Sequence, residues 1–201
     1  MTSDIQPVKS SFCLNIIRHN GLDLTDFGEW LFYPGMLFNS DDKWWGNLSV
    51  RDTPHEGLDL SLYRDHNGRN ISLKSGALVP VMYDGEVVRV INDFLGKTIF
   101  VRHREFGNCV QDFYTIYGHV MPSNKVARGV ILTEGDLLGS IADTSGSRSD
   151  LPAHLHISVA LISKEITEDM LDWTAVRDLR RVKLFDPLAF LDCKFTVAAA
   201  K

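Results

Sequence analysis

Cysteine is scarce in this chain of 201 residues, and the few that occur form no recognisable pattern. Cys13, Cys109 and Cys193 are isolated and odd in number, so we expect no disulfide framework. None of them lies in a nucleophile motif, and we expect Cys109 to be an ordinary thiol in a turn. Because no C-x-x-C pair occurs, a closed, cysteine-rich structural metal site is not expected either.

Basic clusters and long apolar runs are also missing. The net charge is -5 at pH 7, and the only basic cluster is Arg177, Arg180 and Arg181, so we expect no nucleic-acid partner. No apolar run approaches the roughly 20 residues needed to cross a bilayer, so we expect no integral membrane segment. The start of the chain is polar, and the apolar stretch 12–17 is too short for a signal-peptide core, which leaves a cytoplasmic location open.

The chain is rich in β-type patterning. Strands are predicted at 78–83, 86–91, 98–103, 110–119, 137–142 and 154–162. Asp84-Gly85, between the first two, predicts a tight hairpin turn. Because successive strands follow without intervening helices, we expect a mainly β fold with an antiparallel, sandwich-like or barrel-like core. Helical spacing over 166–180 and the pair Asp186-Pro187 predict one or two C-terminal helices.

Four histidines and one aspartate are concentrated in three short segments. The segments are His55-Glu56-Gly57-Leu58-Asp59, Tyr117-Gly118-His119 and His154-Leu155-His156. Residues two apart in a strand share a face, so His55 and Asp59 would point the same way, with a glycine between them that cannot block a metal. By the same alternation His154 and His156 would face one site.

Such a set can hold one zinc ion and still leave groups for catalysis. A catalytic zinc typically has three ligands from His, Asp or Glu and keeps its fourth position for water. Five candidates compete for three places, and spacing alone does not decide which histidines bind. The remaining imidazoles suit proton transfer near neutral pH. Glu56 could act as a general base, but in a strand it would point away from His55 and Asp59, so we reject it.

The other histidines carry no motif. We expect His19, His66 and His103 to be surface or internally satisfied residues, with His103 at the end of a strand.

The order H-x-x-x-D, Y-x-H and H-x-H resembles the lysostaphin-type (LytM-like) zinc endopeptidases. The stretch 76–88 is similar to the family's G-x-P-V-x-A-x-x-D-G-x-V signature, and 134–141 to its G-D-x-V-x-x-G-x-x-I signature. Thr144-Ser145-Gly146 precedes His154 much as the family's T-G-x-S does. The resemblance covers roughly residues 50 to 162.

This resemblance implies a role for each site residue. The implied zinc ligands are His55, Asp59 and His156, the implied catalytic pair is His119 and His154, and Tyr117 would line the cleft as a substrate contact. The family's activity is hydrolysis of peptide bonds in peptidoglycan stem peptides or cross-bridges by a zinc-activated water, in the cell envelope, on an antiparallel LytM-type β core. Two alternatives stay open, a hydrolase of another small or intracellular peptide and a non-catalytic LytM-like binding or activator module.

Two parts of the chain depart from the family pattern. The stretch 60–75 is longer than the usual connection and predicts an extra hairpin or loop at the rim of the site. Residues 1–50 lie outside the resemblance, and we expect an N-terminal extension packed on a zinc metallopeptidase domain at 51–195. Its many aromatic residues favour packing, with substrate stacking or an autoinhibitory side chain at the zinc as alternatives. The sequence does not indicate an oligomeric state.

Overall fold

The computed structural model describes residues 7–144 and 151–199, and within these ranges the chain is mainly β. Its strands are β1 (Phe27–Phe32), β2 (Leu58–Leu60), β3 (Leu62–Asp65), β4 (Asn70–Ser72), β5 (Leu78–Pro80), β6 (Gly85–Asn92), β7 (Lys97–His103), β8 (Gln111–Pro122), β9 (Ile131–Leu132), β10 (Leu137–Ile141), β11 (Leu155–Ser163), β12 (Val182–Phe185) and β13 (Phe195–Val197). The α-helices are α1 (Phe12–His19) and α2 (Trp173–Val176), with 3₁₀ turns at Leu22–Leu24, Pro34–Met36, Arg104–Phe106, Glu168–Met170 and Pro187–Ala189. In the described part of the chain no helix is long and apolar enough to cross a membrane.

The larger sheet contains all six strands that the sequence predicts. Its main path runs β12-β11-β8-β7-β6-β9, while β2 also pairs with β11, and β10 pairs with β5 and β8. These pairings are antiparallel, so the mainly β, antiparallel fold class is confirmed. The longest ladder joins β8 and β11, from His156 opposite Gly118 to Ser163 opposite Gln111. This ladder places two of the three histidine-bearing segments side by side.

The smaller sheet, in the order β13-β1-β3-β4, contains the additional hairpin. Strands β3 and β4 pair antiparallel around Asn67-Gly68, where Gly68 takes a φ of 79° that favours glycine. The hairpin predicted for 60–75 is therefore present, and it extends this sheet. Strand β1 pairs with β3 and β13, so residues on both sides of position 50 share one sheet. The division into an extension at 1–50 and a domain at 51–195 stays a prediction.

Most of the N-terminal aromatic side chains pack into the main core. Trp30 and Phe32 of β1 are fully buried there with Phe12 of α1. Burial of large aromatic side chains contributes a major share of core stability. Trp44 packs against this core too, and both Trp44 and Trp45 lie beside the candidate site described below.

The long helix predicted for 166–180 is wrong. In its place lie the 3₁₀ turn Glu168–Met170 and the four-residue α2. Leu171 between them has an extended backbone, with ψ at 113°, which ends the first turn. Asp172 then caps a new helix by accepting a hydrogen bond from the Ala175 backbone N–H. Local capping thus outweighs the helical spacing of apolar residues.

The final short helix begins where the sequence predicts it. The Asp186 side chain accepts from the Leu188 backbone N–H, and Pro187 occupies the first position of the 3₁₀ turn.

The hairpin predicted at Asp84-Gly85 is also wrong. Strand β5 pairs with β10, and β6 pairs with β7, so the two strands that flank these residues are not partners. Gly85 instead begins β6 against the end of β7. A Cβ there would lie 2.6 Å from His103 Nδ1 and 2.8 Å from the Arg102 carbonyl oxygen. The glycine is needed for close approach rather than for a turn.

The expectation of no disulfide is overturned at the two ends of the chain. Cys13 of α1 is bonded to Cys193, with a Cα–Cα distance of 5.7 Å that is ordinary for a disulfide. The two residues are 180 positions apart, which is why spacing gives no sign of the pair. Cys109 is a free thiol, as expected, and it is exposed.

We predict that loss of this disulfide destabilises the fold. A crosslink over 180 positions restricts the unfolded chain, so Cys13→Ala/Cys193→Ala should lower the free energy of unfolding by about 2–5 kcal/mol. Urea unfolding of the oxidised wild type and the double variant measures this difference. Cys109→Ala serves as the matched control. Equal midpoints for wild type and double variant would contradict the prediction.

We predict a second stability effect at His103, which is fully buried at the end of β7. Burial lowers the pKa of His103 to about 4, although its Nδ1 donates to the Asp84 carbonyl. The neutral form is therefore favoured in the fold, and stability is fully present above the unfolded pKa of about 6.5. As the pH falls from about 6.5 to about 4, the unfolded chain binds the proton first and stability decreases, by about 3 kcal/mol.

Urea unfolding of wild type and His103→Gln between pH 4 and 8, in chelator, tests this prediction. As the pH falls from about 6.5 to about 4, the free energy of unfolding should decrease more for wild type than for His103→Gln. Every other histidine is common to both proteins and so does not contribute to this difference. His66→Gln, at an exposed position, is the control. A pH-independent difference between wild type and His103→Gln would rule the effect out.

Candidate metal centre and active site

Three strands bring the chemical motifs together. In the paired register His156 of β11 lies opposite Asp59 of β2 on one side and opposite Gly118 of β8 on the other. His55 lies just before β2, and its backbone N–H is bonded to the Ser40 carbonyl. The sheet therefore holds residues from positions 55 to 156 within one region.

The segment that carries His55 differs from the predicted strand. Strand β2 begins only at Leu58, so His55 and Asp59 are not related by strand alternation. Gly57 is nevertheless needed, because a Cβ there would lie 2.2 Å from the Ile157 carbonyl oxygen and 2.8 Å from His156 Nε2. From the sequence, this glycine is predicted to leave room for a metal ion. In the structure it allows the chain to pass β11 closely.

In a strand Glu56 would point away from His55 and Asp59, and this reason for rejecting it as a general base is also wrong. Glu56 lines the same cleft as His55 and Asp59. Its carboxylate forms an ion pair with Arg177. Burial raises the pKa of Glu56, but the hydrogen bond and charge of Arg177 outweigh it and lower the pKa overall. The carboxylate is thus held by a cation rather than left free as a base.

His55, Asp59 and His156 form a compact triangle of ligand atoms. His55 Nε2 lies 3.1 Å from Asp59 Oδ1 and 3.1 Å from His156 Nδ1, and the last two atoms are 2.9 Å apart. All three residues are buried. Ligands of one tetrahedral zinc lie about 3.3 Å apart at bond lengths of about 2.0 Å, so both the donor types and their spacing fit that ion.

Each ligand atom is oriented by a bond on the far side of its side chain. His55 Nδ1 donates to the Leu37 carbonyl at 3.0 Å, which leaves Nε2 without a proton and facing the triangle. His156 Nε2 lies 2.9 Å from Ser158 Oγ, which leaves Nδ1 for the triangle. These contacts select the nitrogen with which each imidazole would bind a metal.

The protonation states also suit a metal. Burial raises the pKa of Asp59, but His55, His154 and His156 outweigh it and hold the pKa well below its ordinary value. Burial lowers the pKa of His156, against the opposing effect of Asp59. An ionised carboxylate and a neutral imidazole are the forms in which Asp59 and His156 would bind a metal ion.

His119 and His154 lie together beside the triangle. Their ring centroids are 4.7 Å apart, and His154 Nε2 is 3.7 Å from Asp59 Oδ1. His154 Nδ1 donates to the Pro152 carbonyl at 2.8 Å, so Nε2 is the nitrogen without a proton. Two histidines and one aspartate thus form the triangle, and the other two histidines lie next to it.

A β-bulge directs His119 into the cleft. Tyr117 pairs with Ile99 and Val120 with Lys97, so two residues of β8 lie opposite the single residue Thr98 of β7. His119 within this bulge has a φ of 61°, which is uncommon for any residue but glycine. Bulges next to active sites change the direction of a side chain in this way.

The same bulge accounts for a wrong expectation about Tyr117. Tyr117 is fully buried, and its hydroxyl accepts hydrogen bonds from the Met82 backbone N–H and from Thr115 Oγ1. It is not among the residues that line the cleft. Because the bulge breaks the alternation between Tyr117 and His119, their side chains do not share a face.

Sequence reasoning missed a polar chain behind His119. Asp93 Oδ2 lies 3.4 Å from His119 Nδ1 and accepts a hydrogen bond from Thr98 Oγ1 at 2.7 Å. Thr98 Oγ1 in turn accepts from Trp173 Nε1 at 3.1 Å. Burial lowers the pKa of His119 to about 4, with Asp93 opposing the shift. No motif marks Asp93, because it lies in the connection between β6 and β7.

The site opens into a cleft of about 370 Å³. Besides the five motif residues, the cleft is lined by Trp45, Arg51, Glu56, Asp93, Phe94, Leu151, Trp173 and Arg177. Phe94 is strongly exposed, and its ring centroid lies 4.8 Å from that of His119. Ser145 and Gly146 of the motif that precedes His154 lie outside the described residues.

The remaining histidines lie elsewhere. His19 Nε2 contacts the Gly135 carbonyl at the surface, His66 is exposed, and His103 ends β7 in the core.

Comparison with known proteins identifies the family. The model of peptidase family M23 matches residues 64–167, about half of the chain. This range contains His119, His154 and His156, while His55 and Asp59 precede it. No curated protein sequence matches the chain.

Solved structures that match the chain include lysostaphin in solution, at 20% identity and a TM-score of 0.41. That alignment covers 60% of this chain and 43% of lysostaphin, so the chain spans less than half of that relative. Another is a catalytic-domain variant of the prophage-encoded protein EnpA from Enterococcus faecalis, at 16% identity and a TM-score of 0.37. That alignment covers 64% of this chain and 85% of the EnpA chain. On the family match, the resemblance seen in the motifs is confirmed, and the chain belongs to peptidase family M23.

Proposed function

We propose that this peptidase is a zinc-dependent endopeptidase that cleaves peptide bonds in the stem peptides or cross-bridges of bacterial peptidoglycan. The observation that carries the proposal is the buried triangle of His55, Asp59 and His156 with two further imidazoles beside it. Three mixed nitrogen and oxygen ligands are typical of a catalytic zinc, whereas structural sites are usually closed by four.

The ligand triangle prepares the site for one metal ion. His55, Asp59 and His156 would hold it through Nε2, one carboxylate oxygen and Nδ1, respectively. A bound zinc supplies a Lewis acid and lowers the pKa of its water. The hydrogen bonds to Leu37 and Ser158 keep the two imidazoles in the required orientation.

His154 and His119 would handle protons and stabilise charge on the substrate. His154 presents an unprotonated Nε2 next to the triangle, a suitable position for accepting a proton from the attacking water. The negative charge of Asp93, with Oδ2 3.4 Å from His119 Nδ1, favours a proton on that nitrogen. We assign the two imidazoles as the catalytic pair: the proton that His154 takes from the water would pass to the departing amine, and His119 would stabilise the negative charge on the carbonyl oxygen.

The peptidoglycan substrate rests on family membership and on the shape of the site. The cleft is open, which suits an extended peptide chain, and it carries both charged and aromatic side chains at its rim. Exposed Phe94 provides an apolar contact beside His119. We propose that a substrate peptide lies along this cleft with its scissile carbonyl at the ligand triangle.

A location outside the cytoplasm is favoured by the disulfide between Cys13 and Cys193. Disulfides form and persist mainly in oxidising compartments such as the periplasm or the extracellular space. The cell envelope, where peptidoglycan lies, is such an environment. We therefore propose that the protein acts there.

We predict that substitutions in the ligand triangle remove both zinc and activity, whereas a substitution at His119 removes activity alone. Asp59→Ala and His156→Ala should each abolish stoichiometric zinc and activity together, because each removes a ligand atom of the triangle. His119→Ala should retain zinc and lose about 100–10,000-fold in kcat, the usual size of an acid–base contribution. Zinc content by plasma emission spectrometry and turnover of the same samples measure both. His66→Ala is the control, and loss of zinc from His119→Ala would refute the division of roles.

We predict that zinc-loaded wild type releases new peptide ends from purified peptidoglycan, while His119→Ala does not. The reason is that both proteins keep the ligand triangle but only one has the complete imidazole pair. Mass spectrometry of the digested peptidoglycan identifies the cleaved bond. Cleavage of a small peptide but not of peptidoglycan would support a different peptidase substrate. Absence of any cleavage despite bound zinc would favour a binding module.

A further inference from the structure

Trp44 contacts the candidate metal centre from outside the range that matches the family. Its indole Nε1 donates a hydrogen bond of 2.7 Å to Asp59 Oδ2. Trp44 lies in the connection between β1 and β2, and the family match begins only at residue 64. We infer that Trp44 is a positioning residue of the metal centre, an inference that rests on the proposed zinc function.

The two oxygens of Asp59 have different partners. Oδ1 faces His55 Nε2 and His156 Nδ1, whereas Oδ2 faces the Trp44 indole and lies 3.6 Å from Arg51 Nη2. A hydrogen bond to an ionised carboxylate is short and stronger than one between neutral groups. Because the carboxylate is buried, the Trp44 bond also restrains its rotation. Trp44 thereby keeps Oδ1 in the triangle.

The Trp44 ring packs against two neighbouring rings. Its centroid lies 5.4 Å from that of His154 in an edge-to-face arrangement, and 5.8 Å from that of Trp45. The backbone around it is tightly packed, since a Cβ on Gly35 would lie 2.8 Å from the Trp44 backbone nitrogen. One side chain thus contacts both a candidate ligand and a candidate catalytic histidine.

Trp30 provides a matched comparison within the same chain. Its indole N–H is buried and has no hydrogen-bond partner among the described residues. Replacing either indole by a phenyl ring removes a similar volume, but only at Trp44 does it remove a bond to Asp59. Trp30→Phe therefore reports the exchange of a buried indole for a phenyl ring without the loss of a hydrogen bond.

The test measures zinc affinity by competition with a chromophoric chelator for wild type, Trp44→Phe and Trp30→Phe. Loss of a bond that orients a metal ligand typically weakens metal affinity by about 10–100-fold, and we expect this at Trp44→Phe. Trp30→Phe should lower the melting temperature of the metal-free protein and leave the zinc Kd unchanged. The cobalt-substituted forms provide a second readout, because a reoriented Asp59 should alter the visible spectrum of Trp44→Phe only.

The outcomes distinguish this inference from the proposed function. If wild type binds zinc and Trp44→Phe has the same Kd and cobalt spectrum, the positioning role is overturned while the zinc function stands. If wild type binds no zinc, both are overturned. Should Trp44→Phe fail to fold, Trp44→benzothienylalanine keeps the bicyclic shape and replaces the N–H by sulfur. A weakened zinc Kd in that folded variant supports the role, and an unchanged one overturns it.

Discussion

The buried carboxylate of Asp59 is the constraint around which the site is organised. An ionised group removed from water is costly unless charges and hydrogen bonds compensate it. Here the compensation comes from the Trp44 indole N–H and the Arg51 guanidinium, both on Oδ2, while His55 Nε2 and His156 Nδ1 face Oδ1 where a metal ion would lie. These neighbours come from the connection between β1 and β2 and from β11. Correct placement of Asp59 therefore requires most of the fold to be assembled.

Asp59 and His156 lie side by side because of the register in which their strands pair, and not because of the local sequence around either residue. The pairing of β11 with β2 and β8 determines which residues lie opposite His156. A shift of one position in either ladder would turn His156 to the opposite face and remove it from Asp59. Gly57 permits the first pairing, because a side chain at that position would collide with the Ile157 carbonyl. The connection that follows β1 of the smaller sheet brings Trp44 to the site.

Sequence patterns predicted the strands and motif residues well because both depend on short-range periodicity. The alternation after His154 correctly indicates β11, and the six predicted strands all occur. Contacts that join distant positions have no such signal. The Cys13–Cys193 bond and the Trp44–Asp59 hydrogen bond depend on tertiary packing, so neither could be predicted. The helix expected at 166–180 failed for a local reason, since Asp172 starts a new helix after extended Leu171.

The bulge at Gly118 and His119 shows how a local departure from regular pairing creates the arrangement at the site. Regular alternation would place Tyr117 and His119 on the same face, so either both would enter the cleft or both would enter the core. The extra residue opposite Thr98 separates them: Tyr117 is buried in the core, while His119 lines the cleft next to His154. Thr98 at the same bulge also bonds Asp93, which faces His119. The left-handed backbone conformation of His119 thus turns its side chain into the cleft and places it next to Asp93.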